Sequence, residues 1–286
     1  MTEQGHPPST VTPLLEARNL VKHYGHVLAL DGANFTAYPG EVVALIGDNG
    51  AGKSTLVKAL SGAIRADSGQ ILVNGSPVSM SSPLDARRHG IETVYQDLAL
   101  APDLDAAANL HLGREIYRSR LFHILNKPEM RRRAVKAFAD LGVELKDVTA
   151  PVVTLSGGQR QSVAVARAVA YASKIIFMDE PTAALGVVQR GRVLDNIRRV
   201  RDRGITVVLI SHNMPEVLSV ADRVEVLRMG HRVARFTASE ATVEQLVGAM
   251  TGALTLEGPD EQAELDAAAA AAGGDGNASE DGRNQA

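Results

Sequence analysis

The sequence predicts an α/β fold with a mostly parallel sheet and a helical insertion. Two observations support this prediction. Short apolar runs at residues 42–46, 174–178 and 206–210 alternate with segments of helical composition, whereas the stretch from about 97 to 150 shows no strand pattern. Strands that are apolar throughout are buried on both faces, and helices between them connect parallel strands. We therefore expect helices on both faces of the sheet.

Strands outside this sheet core are predicted where mixed segments end at turn residues. A strand over residues 14–24 ends at Gly25. A strand over residues 70–74 is closed by Asn74-Gly75, the residue pair that favours a tight hairpin turn. The last predicted strands form a second hairpin, at residues 224–228 and 232–236.

Helices are predicted where apolar residues recur at helical spacing or follow a capping residue. Thr242 and Gln245 have the spacing of a capping box, so we expect them to begin the last helix. The predicted helices span residues 53–60, 128–141, 158–172, 187–203 and 242–250.

Composition excludes several classes of protein. The chain has 286 residues and no cysteine, so a disulfide framework, a cysteine-ligated zinc and a thiol nucleophile are ruled out. No apolar run is long enough to span a membrane, and the first twelve residues lack the features of a secretory signal. Aromatic residues make up 3% and tryptophan is absent, which argues against a partner whose bases stack on the protein.

Both ends of the chain are predicted to be disordered. Residues 257–286 contain eight acidic residues, one arginine and almost no apolar side chain except alanine, so they cannot offset their own ordering entropy. With residues 1–12 also disordered, one folded domain is expected over residues 13–256. The net charge of the chain is −3. The folded domain is thus mildly basic, well short of a nucleic-acid footprint, and we expect no nucleic-acid partner.

A glycine-rich segment after the first apolar run matches the phosphate-binding pattern G-x-x-x-x-G-K-[ST]. It lies between a predicted strand and a predicted helix, where backbone N–H groups and the helix N-terminus converge on phosphate oxygens. A glycine turn with an unrelated lysine is the alternative, which this context disfavours. Lys53 would reach the β- and γ-phosphates, Ser54 would ligate Mg²⁺, and Thr55 would contact the α-phosphate. The predicted nucleotide-binding residues are Gly47, Asp48, Asn49, Gly50, Ala51, Gly52, Lys53, Ser54 and Thr55.

Two acidic residues follow the second apolar run. Asp179 would hold Mg²⁺ through the water shell of the metal, and Glu180 would polarise a water that attacks the γ-phosphate. Two acids that merely solvate a strand end are the alternative. Beside a phosphate-binding loop, the pair predicts a nucleotide hydrolase that uses Mg²⁺.

A third motif lies shortly before the acidic strand. Its serine and glycines at a helix start can bind an anion or simply cap the helix, and the local sequence leaves both interpretations open. Together with the two motifs above, the segment Leu155-Ser156-Gly157-Gly158-Gln159 resembles the signature sequence LSGGQ in the ATP-binding subunits of ABC transporters. The resemblance covers about residues 14–250.

This resemblance implies the ABC ATPase fold. That fold has a P-loop core with a mostly parallel sheet, an antiparallel β subdomain and a helical subdomain, here at about residues 97–160. It also implies that Ser156, Gly157, Gly158 and Gln159 close over the nucleotide of a second, identical protomer.

The resemblance assigns roles to three further residues. Tyr24 lies 23 residues before Gly47, where the family has an aromatic residue that stacks on adenine. Gln96 resembles the glutamine that contacts Mg²⁺ and leads into the helical subdomain. His212 resembles the histidine that contacts the γ-phosphate. A core tyrosine, a surface glutamine and an inert histidine are the respective alternatives.

One position departs from the family pattern. An aspartate usually follows the Ala-Leu after the acidic strand, but here Leu185 is followed by Gly186. The contact that this carboxylate makes across the dimer is therefore in doubt. Because Glu180, Gln96 and His212 are present, we still expect hydrolysis.

Residues 83–100 and 108–115 look like those of monosaccharide importers of the ribose, xylose and fructose type. One phosphate loop and one signature indicate the single-domain branch. The resemblance implies membrane permease subunits as partners, indirectly a solute-binding protein, and a peripheral location on the cytoplasmic face of the inner membrane. The alternatives are an importer of branched-chain amino acids or another small solute, a soluble ABC ATPase without a transport role, and a regulatory protein without turnover.

Overall fold

The computed structural model describes residues 12–254, apart from residues 120, 144, 146 and 184. The disorder predicted for residues 1–12 and 257–286 lies outside these residues, except at residue 12. The described strands are β1 (Leu15–Tyr24), β2 (Val27–Ala37), β3 (Val42–Ile46), β4 (Ser68–Val73), β5 (Ser76–Val78), β6 (Ile91–Val94), β7 (Tyr117–Ser119), β8 (Ile124–Leu125), β9 (Ile175–Asp179), β10 (Thr206–Ile210), β11 (Arg223–Arg228) and β12 (His231–Thr237). The helices are α1 (Lys53–Leu60), α2 (Pro83–Arg88), α3 (Ala106–Leu110), α4 (Lys127–Asp140), α5 (Gly157–Tyr171), α6 (Val187–Asp202), α7 (Met214–Val220) and α8 (Val243–Thr251).

Six strands form the central sheet in the order β12-β11-β3-β10-β9-β6. Neighbouring strands from β11 to β6 are parallel, and only β12 pairs antiparallel. Every residue of β3 and β10 is buried. The prediction of a mostly parallel, doubly covered sheet is therefore confirmed, and the carboxyl ends of its parallel strands meet at one edge.

A second sheet is antiparallel, in the order β2-β1-β4-β5. The Asn74-Gly75 turn joins β4 to β5, as predicted. Strand β2 was not predicted, because its sequence VLALDGANFTA alternates irregularly and its pairing with β1 contains register shifts. The inner face of this sheet packs with α1 on one face of the central sheet, through Leu20 and Phe35 among others.

Helices α5 and α6 cover the opposite face, and α3 and α4, which lie in the predicted insertion, pack against α5. Apolar residues of α3, α4, α5 and α6 form one buried cluster with β9 and β10. The expectation that residues 97–150 contain no strand is wrong, because β7 and β8 form a short hairpin there. These strands have three and two residues and are mostly exposed, so burial leaves no alternating pattern in the sequence.

The last described elements are the hairpin of β11 and β12 and helices α7 and α8, which pack together. The predicted capping box of α8 is present: Thr242 Oγ1 accepts from the Gln245 amide, and Gln245 Oε1 accepts from the Thr242 amide. In the described part of the chain, we find no helix with the length and apolar character that crossing a membrane requires.

Candidate functional site

The predicted site residues follow strands that end at one edge of the central sheet. In the register of the parallel pairs, Ile210 lies between Leu45 and Asp179, and Val94 lies beside Met178. The loops after β3, β10, β9 and β6 therefore start side by side. Ligands of open parallel sheets bind outside the carboxyl ends of the strands, so this edge is the candidate site.

The glycine-rich loop joins β3 to α1. Gly47 has φ +153° and Gly52 has φ +101°, and a Cβ would lie 2.2 Å from the Leu227 carbonyl oxygen at the first position and 2.6 Å from the Ala29 carbonyl oxygen at the second. Only glycine fits such close backbone packing without a shift. The loop therefore needs these glycines to bend as a phosphate-binding loop does.

The Lys53 ammonium is folded back over this loop. Its Nζ donates to the Gly47 carbonyl at 2.7 Å and to the Asp48 carbonyl at 2.9 Å. Burial lowers the pKa of Lys53, against the charges of Glu180, Asp48 and Asp179, which raise it. Ser54 follows in the first turn of α1 and is exposed. A cation and a hydroxyl thus face the edge at which the acidic strand ends.

Asp179 ends β9, and Glu180 follows it in the left-handed region with φ +48°. The Glu180 amide donates to the Ile210 carbonyl at 2.9 Å, which ties the end of β9 to β10. Burial and the charge of Glu180 raise the pKa of Asp179, although Lys53 opposes them. The pKa of Asp179 stays raised although Lys53 and Lys58 both lower it, so negative charge remains that a bound cation would balance.

The structure brings His212 to Glu180. The imidazole Nδ1 lies 3.0 Å from Glu180 Oε1. His212 follows β10 after the buried Ser211, and its side chain is largely exposed. The predicted general base and the predicted γ-phosphate contact therefore form one hydrogen-bonded pair.

Gln96 lies two residues beyond β6 on the same edge, with an exposed side chain. The loop after it is unusual, because Leu98 and Ala99 both have positive φ. Their carbonyls accept hydrogen bonds of 2.8 and 2.7 Å from the guanidinium of Arg167 in α5. Sequence reasoning did not single out Arg167, because an arginine in a helix gives no local signal of a backbone partner 68 residues away.

The signature segment forms the start of α5. Ser156 Oγ accepts from the Gln159 amide, and Gln159 Oε1 accepts from the Ser156 amide at 3.0 Å, so a full capping box is present. Among the described residues, no hydrogen bond joins residues 156–159 to residues 47–55. The described part of one chain thus shows no hydrogen-bonded contact between the signature and the phosphate-binding loop.

Tyr24 and Gly186 are two further positions that the sequence singled out. Tyr24 ends β1 with a side chain that is 47% exposed, and Lys22 Nζ lies 5.8 Å from the centre of its ring. Gly186 is the N-cap residue of α6 and offers the helix no side-chain cap.

The donors at the edge are oxygen atoms: the Ser54 hydroxyl, the Asp179 carboxylate and the Gln96 amide. Hard cations such as Mg²⁺ prefer oxygen ligands and are commonly held by one or two carboxylates together with phosphates. Within the described ranges, no group of three or more histidine, cysteine, aspartate or glutamate side chains forms a metal site. The donor set thus fits a Mg²⁺ that arrives with a nucleotide rather than one held by protein ligands alone.

A glycine loop at the end of a parallel strand, with an acidic strand end beside it, defines a P-loop nucleoside triphosphatase. The description "ABC transporter" belongs to the family model that matches residues 30–183 of this chain. The chain belongs to the ABC transporter family and is an ATPase of that type, as its sequence predicted.

Curated relatives support this membership. The chain is 51% identical over 246 residues to the fructose import ATP-binding protein FrcA of Rhizobium meliloti. The aligned region covers 84% of this chain and 95% of the relative. It is 46% identical over 241 residues to the xylose/arabinose import ATP-binding protein XylG of Sulfolobus acidocaldarius, with the same coverage. The ribose import ATP-binding protein RbsA 1 of Rubrobacter xylanophilus is 44% identical over 240 residues, but this chain covers 47% of it.

Solved structures confirm the predicted ABC ATPase fold. An ATP-binding cassette of an ABC transporter in its ADP conformation superposes with a TM-score of 0.71 at 28% identity, covering 82% of this chain and 95% of that one. A Clostridium perfringens subunit of an ABC transporter complex superposes with a TM-score of 0.69 at 26% identity, covering 89% and 99%.

Proposed function

We propose that this chain is the ATP-hydrolysing subunit of a monosaccharide importer and powers transport through a membrane permease. The observation that carries the proposal is the 51% identity to a fructose import ATP-binding protein, 95% of which is covered. Relatives named for xylose or arabinose import and for ribose import support the same substrate class.

In this proposal, residues 47–55 bind the phosphates of ATP. Lys53 leaves its two carbonyl partners for the β- and γ-phosphates, and Thr55 contacts the α-phosphate. The exposed ring of Tyr24 stacks on the adenine. The closely packed backbone at Gly47 and Gly52 supports this role, because it lets amide groups converge on phosphate oxygens.

Glu180 orients the attacking water, and His212 contacts the γ-phosphate while its Nδ1 holds the Glu180 carboxylate. Their 3.0 Å contact supports these paired roles. Ser54, Asp179 and Gln96 would hold Mg²⁺, which would neutralise charge that develops on the transferred phosphate. The raised pKa of Asp179 supports a cation at this place, because a nearby positive charge favours the ionised carboxylate.

The second part of the proposal is a two-fold dimer with two shared sites. Residues 156–159 of one protomer close over the ATP held by the other, and hydrolysis reopens the dimer. This arrangement is supported by the start of α5, which exposes Ser156 and Gly157 and makes no hydrogen bond to the described phosphate loop of its own chain. The capping box and nucleotide binding are compatible, because the helix N-terminus remains free to face an anion.

The third part concerns the membrane. We infer that the chain is peripheral, on the cytoplasmic face, and that it contacts permease subunits and indirectly a solute-binding protein. The hairpin of β7 and β8 supports a protein contact in the helical region. In its turn, the neighbouring side chains of Leu121 and Phe122 are 82% and 72% exposed, and adjoining exposed apolar side chains mark contact surfaces.

The shared site is tested by mixing two inactive variants. Lys53→Ala disables the phosphate loop of its own chain, and Ser156→Arg blocks the signature of its own chain. A mixed dimer has one site with both lesions and one with neither. Phosphate release should therefore reappear when the two full chains are mixed in the presence of permease.

Ser156 also caps α5, so its loss alone costs about 1 kcal/mol of stability. Thr242→Arg is the matched control, since it removes the same kind of capping box at α8 and should keep hydrolysis. Crosslinking establishes that mixed dimers form. If they form and their intact site binds ATP no better than a site in Ser156→Arg homodimers, the site is not shared.

Transport is tested in cells that lack this gene. Uptake of labelled fructose, xylose or ribose should fall for at least one sugar, and the intact gene should restore it. The gene with Glu180→Gln should not restore uptake. Unchanged uptake of all monosaccharides, together with reduced uptake of a branched-chain amino acid, would replace the sugar proposal with the amino-acid alternative.

A further inference from the structure

The loop after Glu180 and the loop after β10 are joined by a carboxylate to which sequence reasoning assigned no role. Glu216 is in the first turn of α7 and its side chain is 13% exposed. Its Oε2 accepts from Thr182 Oγ1 at 2.6 Å, and its Oε1 accepts from Asn213 Nδ2 at 2.9 Å. Thr182 is two residues from Glu180, and Asn213 is adjacent to His212.

A second contact holds the far end of the same loop. Arg190 in α6 lies with its guanidinium 3.5 Å from Glu216 Oε1 and donates through Nε to the Leu185 carbonyl at 2.7 Å. The segment between β9 and α6 is therefore fixed near its start through Thr182 and near its end through Leu185. Both attachments meet at Glu216.

Helix capping alone does not explain this arrangement. Helix α4 starts with the same Asn-x-Pro-Glu pattern, at Asn126 and Glu129. In both helices, the asparagine side chain accepts from the glutamate amide at 3.3 Å. The Glu129 carboxylate binds arginines of its own helix, at distances of 2.7 and 2.8 Å. A helix start of this type thus forms without a carboxylate that reaches into another loop.

Glu180 and His212 are held in positions that depend on the structure around them. Glu180 has φ +48°, a conformation that costs a non-glycine residue free energy and persists only where the surroundings hold it. Its side chain meets His212 at 3.0 Å across the gap between two loops. A displacement of about 1 Å at such a pair can cost up to about 10²-fold in rate.

We infer that Glu216 is a positioning residue of the ATPase site. It fixes the loop that carries Glu180 against the loop that carries His212, through Thr182 and Asn213. The inference rests on the proposed function, because it assumes that Glu180 and His212 act in hydrolysis. Glu216 itself touches neither of them.

The first test compares two substitutions of Thr182. Thr182→Val keeps the shape of the side chain but removes the hydroxyl that donates to Glu216. Thr182→Ser keeps the hydroxyl. Steady-state phosphate release by the full chain should show kcat lowered about tenfold in Thr182→Val, with KM for ATP within about twofold. Thr182→Ser should retain most of kcat, which a purely steric role of this residue would not produce.

The second test is a double-mutant cycle. Glu216→Gln has one acceptor oxygen in place of two, so it cannot accept from both Thr182 and Asn213, and it should lower kcat by a similar factor. Because each substitution breaks the connection from Thr182 through residue 216 to Asn213, the double variant should lose little more than the larger single loss. Glu129→Gln is the matched control: it changes the same residue at the same type of helix start and should leave kcat unchanged.

The outcomes separate this inference from the proposed function. Normal kcat in Thr182→Val and Glu216→Gln, in a protein that Glu180→Gln inactivates, overturns the positioning role alone. Equal losses in Thr182→Val and Thr182→Ser, or fully additive losses in the double variant, overturn it as well. No ATP hydrolysis by the unsubstituted chain contradicts the proposed function and this inference together.

Discussion

Two groups of carboxylates in this fold are both withdrawn from solvent, but they differ in the cations around them. Between the two sheets, Glu225 is completely buried beside Arg223, which also donates to Glu41 Oε1 at 2.8 Å and to the Thr36 carbonyl at 2.6 Å. At the carboxyl edge of the central sheet, Asp179 is next to Glu180, and the cations that lower its pKa are the ammonium groups of Lys53 and Lys58.

The pKa directions of the two groups are opposite. Burial opposes the charge of Glu225, but Arg223, Arg232 and Arg235 outweigh it and hold its pKa below the usual range. At Asp179, burial acts with the neighbouring Glu180, and the pKa rises. The first group is neutralised by permanent cations of the fold, whereas the second is left with excess negative charge.

This difference separates a structural cluster from a site. A buried charge that cations of the fold already neutralise affects the stability of the folded chain. The ionised form of a carboxylate with a raised pKa is stabilised when a further cation binds beside the phosphate-binding loop. This response to binding is expected at a functional site. Substitutions at the first group should therefore change stability, and those at the second should change hydrolysis.

The largest effect on stability is expected for Glu225→Gln. The variant leaves buried arginines without their carboxylate, and breaking a buried pair in this way costs about 3–5 kcal/mol. Urea unfolding at neutral pH measures the loss. As a control, Asp140→Asn removes an exposed pair with Lys136 at 2.9 Å and should cost less than about 1 kcal/mol. Equal midpoints for the two variants would show that the cluster contributes nothing.

The next effect is on turnover. Glu180→Gln keeps the shape of the side chain but removes the carboxylate that orients water, so kcat should fall about 10²-fold or more, equivalent to about 2.7 kcal/mol of barrier. ATP binding and the unfolding midpoint should be retained, in contrast to Glu225→Gln. Nucleotide titration and phosphate release provide the two measurements. Near-normal hydrolysis would instead assign the base to another residue.

A smaller effect of opposite sign is expected at Asp179. Its pKa is raised in the fold, so ionisation costs the folded state stability. This penalty is absent below the usual aspartate pKa of 3.8, develops as the pH rises through the folded pKa, and is complete above it. Asp179→Asn should therefore raise Tm without nucleotide at neutral pH, and the gain should vanish near pH 3.5.

The same substitution should abolish the stabilisation that MgATP gives to the unsubstituted chain. Thermal melts across pH, with and without MgATP, measure both effects. A Tm that falls in Asp179→Asn at neutral pH would show that ionised Asp179 stabilises the fold, as Glu225 does. The contrast between the two groups of carboxylates would then be wrong.

The sequence predicted those parts of the fold whose signal is local. Strands β3 and β10 were predicted with the bounds that the structure shows, because a strand buried on both faces is a continuous apolar run. The phosphate-binding loop and the helix after it were likewise predicted, since one short segment holds all the necessary residues. Strand β2 and the hairpin of β7 and β8 were missed because bulges and exposure remove the alternating pattern.

The charged clusters were not predictable in this way. Thr36 and Glu225 are 189 residues apart, and Thr182 and Glu216 are 34 apart. No spacing rule connects such pairs, so only the folded chain reveals them. The signature segment was recognised from its five residues, whereas the site that it completes involves a second protomer and stays a proposal.

The smallest effect is expected at Gly186, where the sequence lacks the aspartate usual in the family. Gly186 is the N-cap of α6 with φ −71°, an extended conformation that any residue adopts. Aspartate at an N-cap is better than glycine by only a few tenths of a kcal/mol, and its charge at a helix N-terminus adds a similar amount. Gly186→Asp should therefore raise the free energy of unfolding slightly, measured by urea titration.

Gly186→Ala is the control for that substitution, because it adds a Cβ without a capping group. In both variants the Cβ lies 2.7 Å from Gln189 Oε1, the far end of a flexible side chain that can move aside. The alanine variant should be the less stable of the two, and both should hydrolyse ATP at rates near that of the unsubstituted chain, since Glu180 and His212 keep their contact. A hydrolysis rate that rises severalfold in Gly186→Asp alone would instead mean that the absence of a carboxylate at position 186 limits ATP hydrolysis in this chain.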